Sequence, residues 1–381
     1  MIRLRYFILT LWILLSVGQA DASLRQVFDA FIAGHYEKAE AHLQTLLKTS
    51  SDKDQIHFLL GRLAAWDGRT DDAFDHFEKA AKFSPQNADY YWWLAQMYGQ
   101  KAIKASIFRK PGHARNTKKS LEKAIALDPD HIDARLRLMG YHLSAPGILG
   151  GKKEEAQNQA DQIKMRDPIR GHLAQAQIYR RKDELDKAEQ ELRSALEKDP
   201  SNDLPVLELG RHLSRTERRE EAVDLLDSYV QQYPFSSQAF SSLSAYLRSL
   251  RQFDRAYRAA EQRLKITTDS LSVRRDTTVS SFKKIVIFQR DKWRALYVLG
   301  RISAESGDRL DRGLEYLKAC LQIIPPGAKR SRGDAYNLMG QIYLHQDEIQ
   351  RAREAFQTAL KWNSKQESAR EALEKLDKEK K

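Results

Sequence analysis

The sequence predicts an all-α protein: a solenoid of about nine helical hairpins followed by a C-terminal capping helix. Three observations predict it. One pattern of small and bulky residues returns about every 34 residues between Ser23 and Ser364. Proline punctuates the pattern at Pro85, Pro129, Pro168, Pro200 and Pro234, where it stops one helix and opens the next. The composition suits helix, with 30% charged residues, 41% hydrophobic residues and only 10 prolines in 381 residues. That hydrophobic content excludes a disordered basic tail despite a formal charge of +12.

The register is clearest in Gly333–Ser364. Tyr336, Met339, Gly340 and Tyr343 lie at helical spacing before a turn near Gln346 and Asp347, and Ala352, Phe356 and Ala359 follow it. Gly and Ala let two helices approach closely, and the bulky residues fill the space between them. This spacing resembles the tetratricopeptide repeat. The resemblance implies a right-handed superhelix of stacked hairpins whose first helices line a concave groove. It also implies a binding scaffold rather than an enzyme.

Taken in order, Met1–Ala22 reads as an export signal. Arg3 and Arg5 precede the apolar run Tyr6–Val17, and Ala20-Asp21-Ala22 offers a small-x-small cleavage site, with Gly18-Gln19-Ala20 as competitor. The run is short for a membrane span, which needs ~20 apolar residues. An uncleaved inner-membrane anchor is the alternative. No Cys follows the run, so no lipoprotein anchor is expected. Cys320 is the one cysteine, which excludes an intramolecular disulfide, and no Asn-x-Ser/Thr acceptor occurs. These features favour an exported bacterial protein of the periplasm.

Residues 23–270 hold seven repeat units. The first is degenerate, with Gly34, Tyr36, Ala39 and Leu43 in its second half and Leu24, Val27, Phe28 and Phe31 before it. The second carries Leu60-Gly61, Gly68, Ala73, Phe77 and Ala80. The third starts at Ala88 but runs about ten residues late, through an insertion in Gln100–Arg115 where Pro111-Gly112 is expected to break any helix. The fourth is widened at Ser144–Gly151. The fifth to seventh start at Ile169, Asp203 and Ser237. Residues 271–292 fit no repeat; their apolar cluster, including Val279, Val286 and Phe288, predicts an inserted helix against the array. Residues 293–364 hold the eighth and ninth units, and 365–381 a capping helix with Ala369, Ala372 and Leu376 inward.

No constellation for catalysis stands out. The turn Pro146–Gly151 before Lys152 and Lys153 resembles an anion-binding loop, but its spacing is not that of a P-loop and helices surround it. A wide turn with glycine at positive φ accounts for it, and whether it also binds an anion is left open. With the basic insertion before it, the segment Ala105–Pro168 is similar to a group of bacterial tetratricopeptide proteins, which implies no activity. No His-Glu-x-x-His occurs, and His131 and His142 sit three turns apart, so no metal is expected. Cys320 suits helix packing. Neither enzyme activity nor a cofactor is expected.

The first helices are more informative. Their groove-facing positions place Trp66 and Trp92 as apolar anchors, beside the arginines Arg62, Arg170, Arg180, Arg181, Arg211, Arg215, Arg248 and Arg301. Guanidinium groups pair with carboxylates in bidentate geometry. The expected function is a scaffold or adaptor in the cell envelope that holds an extended or acidic partner segment in the groove. The alternative is a peripheral binder of anionic lipid or polysaccharide that uses Lys101, Lys104, Arg109, Lys110 and Arg115. Export argues against nucleic acid as partner. The sequence leaves the oligomeric state open.

Overall fold

In the computed structural model the described residues are 24–272 and 279–378, so the export-signal segment lies outside them. They form nineteen α-helices and one short 3-10 turn, with no strand among the described residues. The helices are α1 (24–32), α2 (Tyr36–Thr49), α3 (Lys53–Trp66), α4 (Thr70–Phe83), α5 (Ala88–Lys104), α6 (Lys110–Leu127), α7 (Ile132–Ser144), α8 (Lys153–Arg166), α9 (Pro168–Arg181) and α10 (Leu185–Lys198). They continue as α11 (Asp203–Arg215), α12 (Arg219–Gln232), α13 (Ser237–Ser249), α14 (Phe253–Ser272), α15 (Val279–Ser306), α16 (Leu310–Ile323), α17 (Lys329–His345), α18 (Ile349–Trp362) and α19 (Glu367–Lys378). Among the described residues no helix is long and apolar enough to cross a membrane.

The helices group into two compact units. One is the continuous stretch Thr70–Ile266. Here α5 packs on α6, α7 on α8, α9 on α10 and α11 on α12, and the first helices α7, α9, α11 and α13 also touch in succession. The core follows the expected register: Leu121, Ala124, Ala156, Ile163, Ala188, Leu192, Ala222 and Leu226 are buried.

The other unit is discontinuous. It joins the described residues up to Arg69 to those from Thr267 onward. Val27, Phe28, Phe31, Leu43, Leu59 and Leu63 of α1–α3 share one apolar core with Val286 of α15. The Tyr36 hydroxyl donates to the Ile323 carbonyl at 2.5 Å, and the Gln289 amide donates to the Ile32 carbonyl at 2.9 Å. The Gly327 N–H donates to the Asp67 carboxylate at 2.6 Å. Burial pushes the Tyr36 phenol up to about 12. No side chain fits at Gly327 of this seam, where a Cβ would stand 1.7 Å from the Asp67 carbonyl oxygen. In the same unit α15 pairs with α16, α17 with α18, and α19 covers α18.

The described parts of the three irregular stretches are absorbed into helices and one turn, and residues 273–278 of the third lie outside the described residues. Residues 279–292 form the first half of α15, a single helix of 28 residues, rather than a separate element. No Gly or Pro interrupts it before Gly300, and Val286 and Gln289 of this extension reach the α1–α2 core. The insertion at 100–115 lengthens α5 and α6 to 17 and 18 residues, where the regular helices have 14. Pro111 does not break a helix, contrary to expectation. It lies in the first turn of α6, where its missing N–H is not needed. The Gly-rich stretch is the wide turn expected: Gly147–Leu149 is a 3-10 turn and Gly150 has φ 83°. The Tyr141 hydroxyl pins it by donating to the Leu149 carbonyl at 2.6 Å.

Candidate functional site

Within Thr70–Ile266 the first helices carry a shared polar face built from side chains about one repeat apart. Arg137 donates to Gln96 at 2.7 Å, Arg170 pairs with Asp133 at 2.8 Å, and Arg181 donates to the Ser144 hydroxyl at 3.2 Å. Arg180 meets Glu208 at 3.2 Å, and Arg211 bonds the same carboxylate. Each contact joins two successive first helices or, for Arg211, two turns of one. The arrangement fixes guanidinium orientation and spends part of the positive charge on internal carboxylates.

The expected residues separate by unit. Arg170, Arg180, Arg181, Arg211, Arg215 and Arg248 share the α9, α11 and α13 side of Thr70–Ile266. Arg181, Arg211 and Arg215 are exposed, and Arg215 makes no ion pair among the described residues. Arg211 and Arg215 flank half-buried Tyr246; burial raises its pKa and their positive charges oppose that rise. Trp92 lies edge-on to Trp93 at 4.9 Å and is half-buried. Arg62, Trp66 and Arg301 belong to the discontinuous unit. Arg62 is only 5% exposed and Trp66 packs on Phe31 at 5.6 Å, so both take part in the packing of the N-terminal repeat. Arg301 pairs with Glu305 at 2.8 Å.

Sequence reasoning missed Glu208, Asp133 and Tyr246. The available signal was an opposite charge about one repeat period away, as in Asp133 and Arg170. In the basic insertion, Lys101 pairs with Asp71 at 3.0 Å and caps the Phe74 ring at 4.0 Å, while Lys104 donates to the Thr70 hydroxyl at 2.9 Å. Arg109, Lys110 and Arg115 point into solvent. Among the described residues no three His, Cys, Asp or Glu side chains gather to hold a metal. The Cys320 thiol is fully buried, donates to the Trp293 carbonyl at 3.3 Å, and is pushed far up in pKa by burial.

The second helices hold a denser ionic cluster. Glu189 accepts from Arg193 and Arg218, both at 2.6 Å, and lies 3.8 Å from buried His212. Burial lowers the pKa of His212 and also of His142, where Lys118 adds to the effect. The fold therefore favours the neutral imidazole at both positions, while the unfolded chain takes up protons near the ordinary value of 6.5. The stability they contribute is complete above that pH and is lost as pH falls toward the folded values. Urea denaturation followed by tryptophan fluorescence should show a lower midpoint at pH 5.5 than at 7.5, and the double change His142→Gln, His212→Gln should flatten that dependence.

Comparison with known proteins agrees with this architecture. Residues 24–88, 179–246 and 333–366 match family models described as tetratricopeptide repeat. No curated protein matches the sequence. Among solved structures, yeast Tom70 is similar with a TM-score of 0.52 at 15% identity, over 95% of this chain and 82% of that one. A thermophilic tetratricopeptide protein of Thermus thermophilus scores 0.41 at 19% identity, over 50% of this chain and 97% of its own. MamA from Desulfovibrio magneticus scores 0.39 at 16% identity, over 52% and 97%. At such identities the likeness to Tom70 concerns the fold alone. The stretches near the start, middle and end of the chain are thus tetratricopeptide repeats, and the hairpins of the same register between them make the fold a tetratricopeptide-like solenoid.

Proposed function

We propose that the protein is a non-catalytic scaffold of the cell envelope that holds an extended, acidic segment of a partner protein against the first-helix face of α9, α11 and α13. Tetratricopeptide domains bind protein partners, and this face has the chemistry for a carboxylate-bearing one. The carrying observation is that Arg211 and Arg215 are exposed and their charges act on half-buried Tyr246, with Glu208 holding Arg211 in place, while exposed Arg181 lies one first helix away. An incoming carboxylate finds donors whose rotamers are already restricted, which lowers the entropic cost of pairing. The tyrosine ring offers apolar surface next to them. The export signal read in Met1–Ala22 supports the envelope location.

Fluorescence anisotropy with acidic and neutral labelled peptides tests the proposal. Acidic peptides should bind more tightly, with affinity falling as salt rises. Arg211→Glu with Arg215→Glu should weaken them at least about tenfold while leaving the circular dichroism spectrum unchanged. Equal binding by this folded double variant would overturn the assignment of the face.

A further inference from the structure

The insertion between α5 and α6 exposes large apolar side chains that the described residues of its unit leave uncovered. Ile103 is 82% exposed, Ile107 78% and Phe108 91%. Isolated surface apolar residues are ordinary, but three of this size within six positions form a patch. Its own sequence is of one sign, and the neighbouring Asp71 is paired with Lys101. Residues 100–119 contain no Asp or Glu, and Arg109, Lys110, Arg115 and Lys119 are exposed around the tip. The tip also opens α6, whose first turn has no side-chain cap, so the positive end of the helix adds to the same field.

The second insertion packs on the flank of this helix. The turn Gly147–Leu149 touches α6. The Lys118 ammonium lies against Gly150, and the Arg115 charge acts on the Tyr141 hydroxyl that holds Leu149. Ile148 at the crest of that turn is 86% exposed, and the exposed Lys152 and Lys153 follow it. Two stretches that depart from the repeat thus both adjoin α6, one at its N-terminus and one on its flank near Lys118, each with an exposed apolar crest beside basic residues.

We propose that this double crest docks the protein peripherally on an anionic phospholipid bilayer, with Ile103, Ile107, Phe108 and Ile148 entering the interfacial layer and the surrounding Lys and Arg pairing with lipid phosphates. Neither component anchors well alone: basic residues give weak, screened attraction, and a few apolar side chains give little selectivity. Together they give charge-selective binding, and long Lys and Arg stems reach phosphates while their apolar parts lie along the membrane. Charge complementarity selects the anionic bilayer as occupant. This surface is distinct from the arginine face of α9, α11 and α13, so the two assignments fail independently.

Vesicle co-sedimentation of the full chain tests it. Vesicles of phosphatidylcholine with 30% phosphatidylglycerol should bind the protein, and pure phosphatidylcholine should bind it at least tenfold less. Ile107→Ser with Phe108→Ser should reduce partitioning at least tenfold; both sites are exposed, so folding is unaffected. Arg109→Gln with Lys110→Gln should weaken binding and lessen its salt dependence. Because native Cys320 is buried, Phe108→Cys can be labelled selectively with a polarity-sensitive fluorophore, whose emission should shift to the blue on anionic vesicles. Binding that survives both double variants would belong to the N-terminal apolar segment or another surface and would overturn the proposal. So would a label that stays solvated on vesicles, or one that shifts only when an acidic peptide is added.

Discussion

Phe31→Ala should detach the N-terminal repeat from the discontinuous unit. The ring is fully buried among Tyr36 at 5.2 Å, Trp66 at 5.6 Å and the aliphatic side chains of α2 and α3. Truncating a buried Phe costs about 3–5 kcal/mol through lost transfer energy and the cavity left behind. The repeat is held by this apolar core and a few polar contacts, so a loss of that size is comparable to its whole docking energy. Hydrogen exchange read by mass spectrometry should show amides of 24–66 losing protection, while those of Thr70–Ile266 keep theirs. Tyr36→Phe removes only the hydroxyl bonded to the Ile323 carbonyl, and should cost about 1 kcal/mol. If the alanine variant kept full protection in α1–α3, the seam would not be what secures the repeat.

The second large effect is expected in the last hairpin. A Cβ on Gly340 would stand 2.5 Å from a ring carbon of Phe356, which is itself fully buried. Gly340→Ala therefore forces ring or backbone to move, a strain of about 1–3 kcal/mol. Phe356→Ala opens a cavity instead and should cost about 3–5 kcal/mol. The two positions share one space, so their effects should not add. Gly340→Ala combined with Phe356→Leu should be less destabilised than the sum of the single changes, a coupling that a double-mutant cycle in guanidinium reads directly. Additive losses would show that the close approach of α17 and α18 is not tightly packed.

Gly340, Phe356 and the proline punctuation were legible because they act locally. Each reports on a hairpin of about 34 residues, and hairpin packing repeats along the chain. The turn at Asp347 was legible for the same reason; it adopts φ 59°, a left-handed conformation that Asp tolerates better than most residues. Pro111 misled because a proline that breaks a helix interior also suits a helix start, and composition alone does not separate the two. The bond from Tyr36 to Ile323 had no sequence signal, since 287 residues separate its partners and no period links them. The pairing of arginines with Asp133 and Glu208 was hidden by counting charge per helix rather than across repeats. Ile107 and Phe108 carried no signal in the sequence, because their exposure follows from the helix ends around them rather than from their spacing.

The seam between α1–α3 and α15–α17 also orders events in time. Most repeat arrays can fold from one end as the chain emerges, each hairpin stacking on the one before. Here the earliest hairpin has its partner 287 residues downstream, which at ~5–20 residues per second is a wait of about 15–60 s. Through that interval Phe28 and Phe31 lack part of their final cover, and the nascent chain presents an apolar face that holding chaperones recognise. The hairpin of α1–α3 is completed only after the later α15 and α16 have been made. Slow translation ahead of residue 323 prolongs its vulnerability, and a chain truncated anywhere before α15 leaves the first hairpin unfinished.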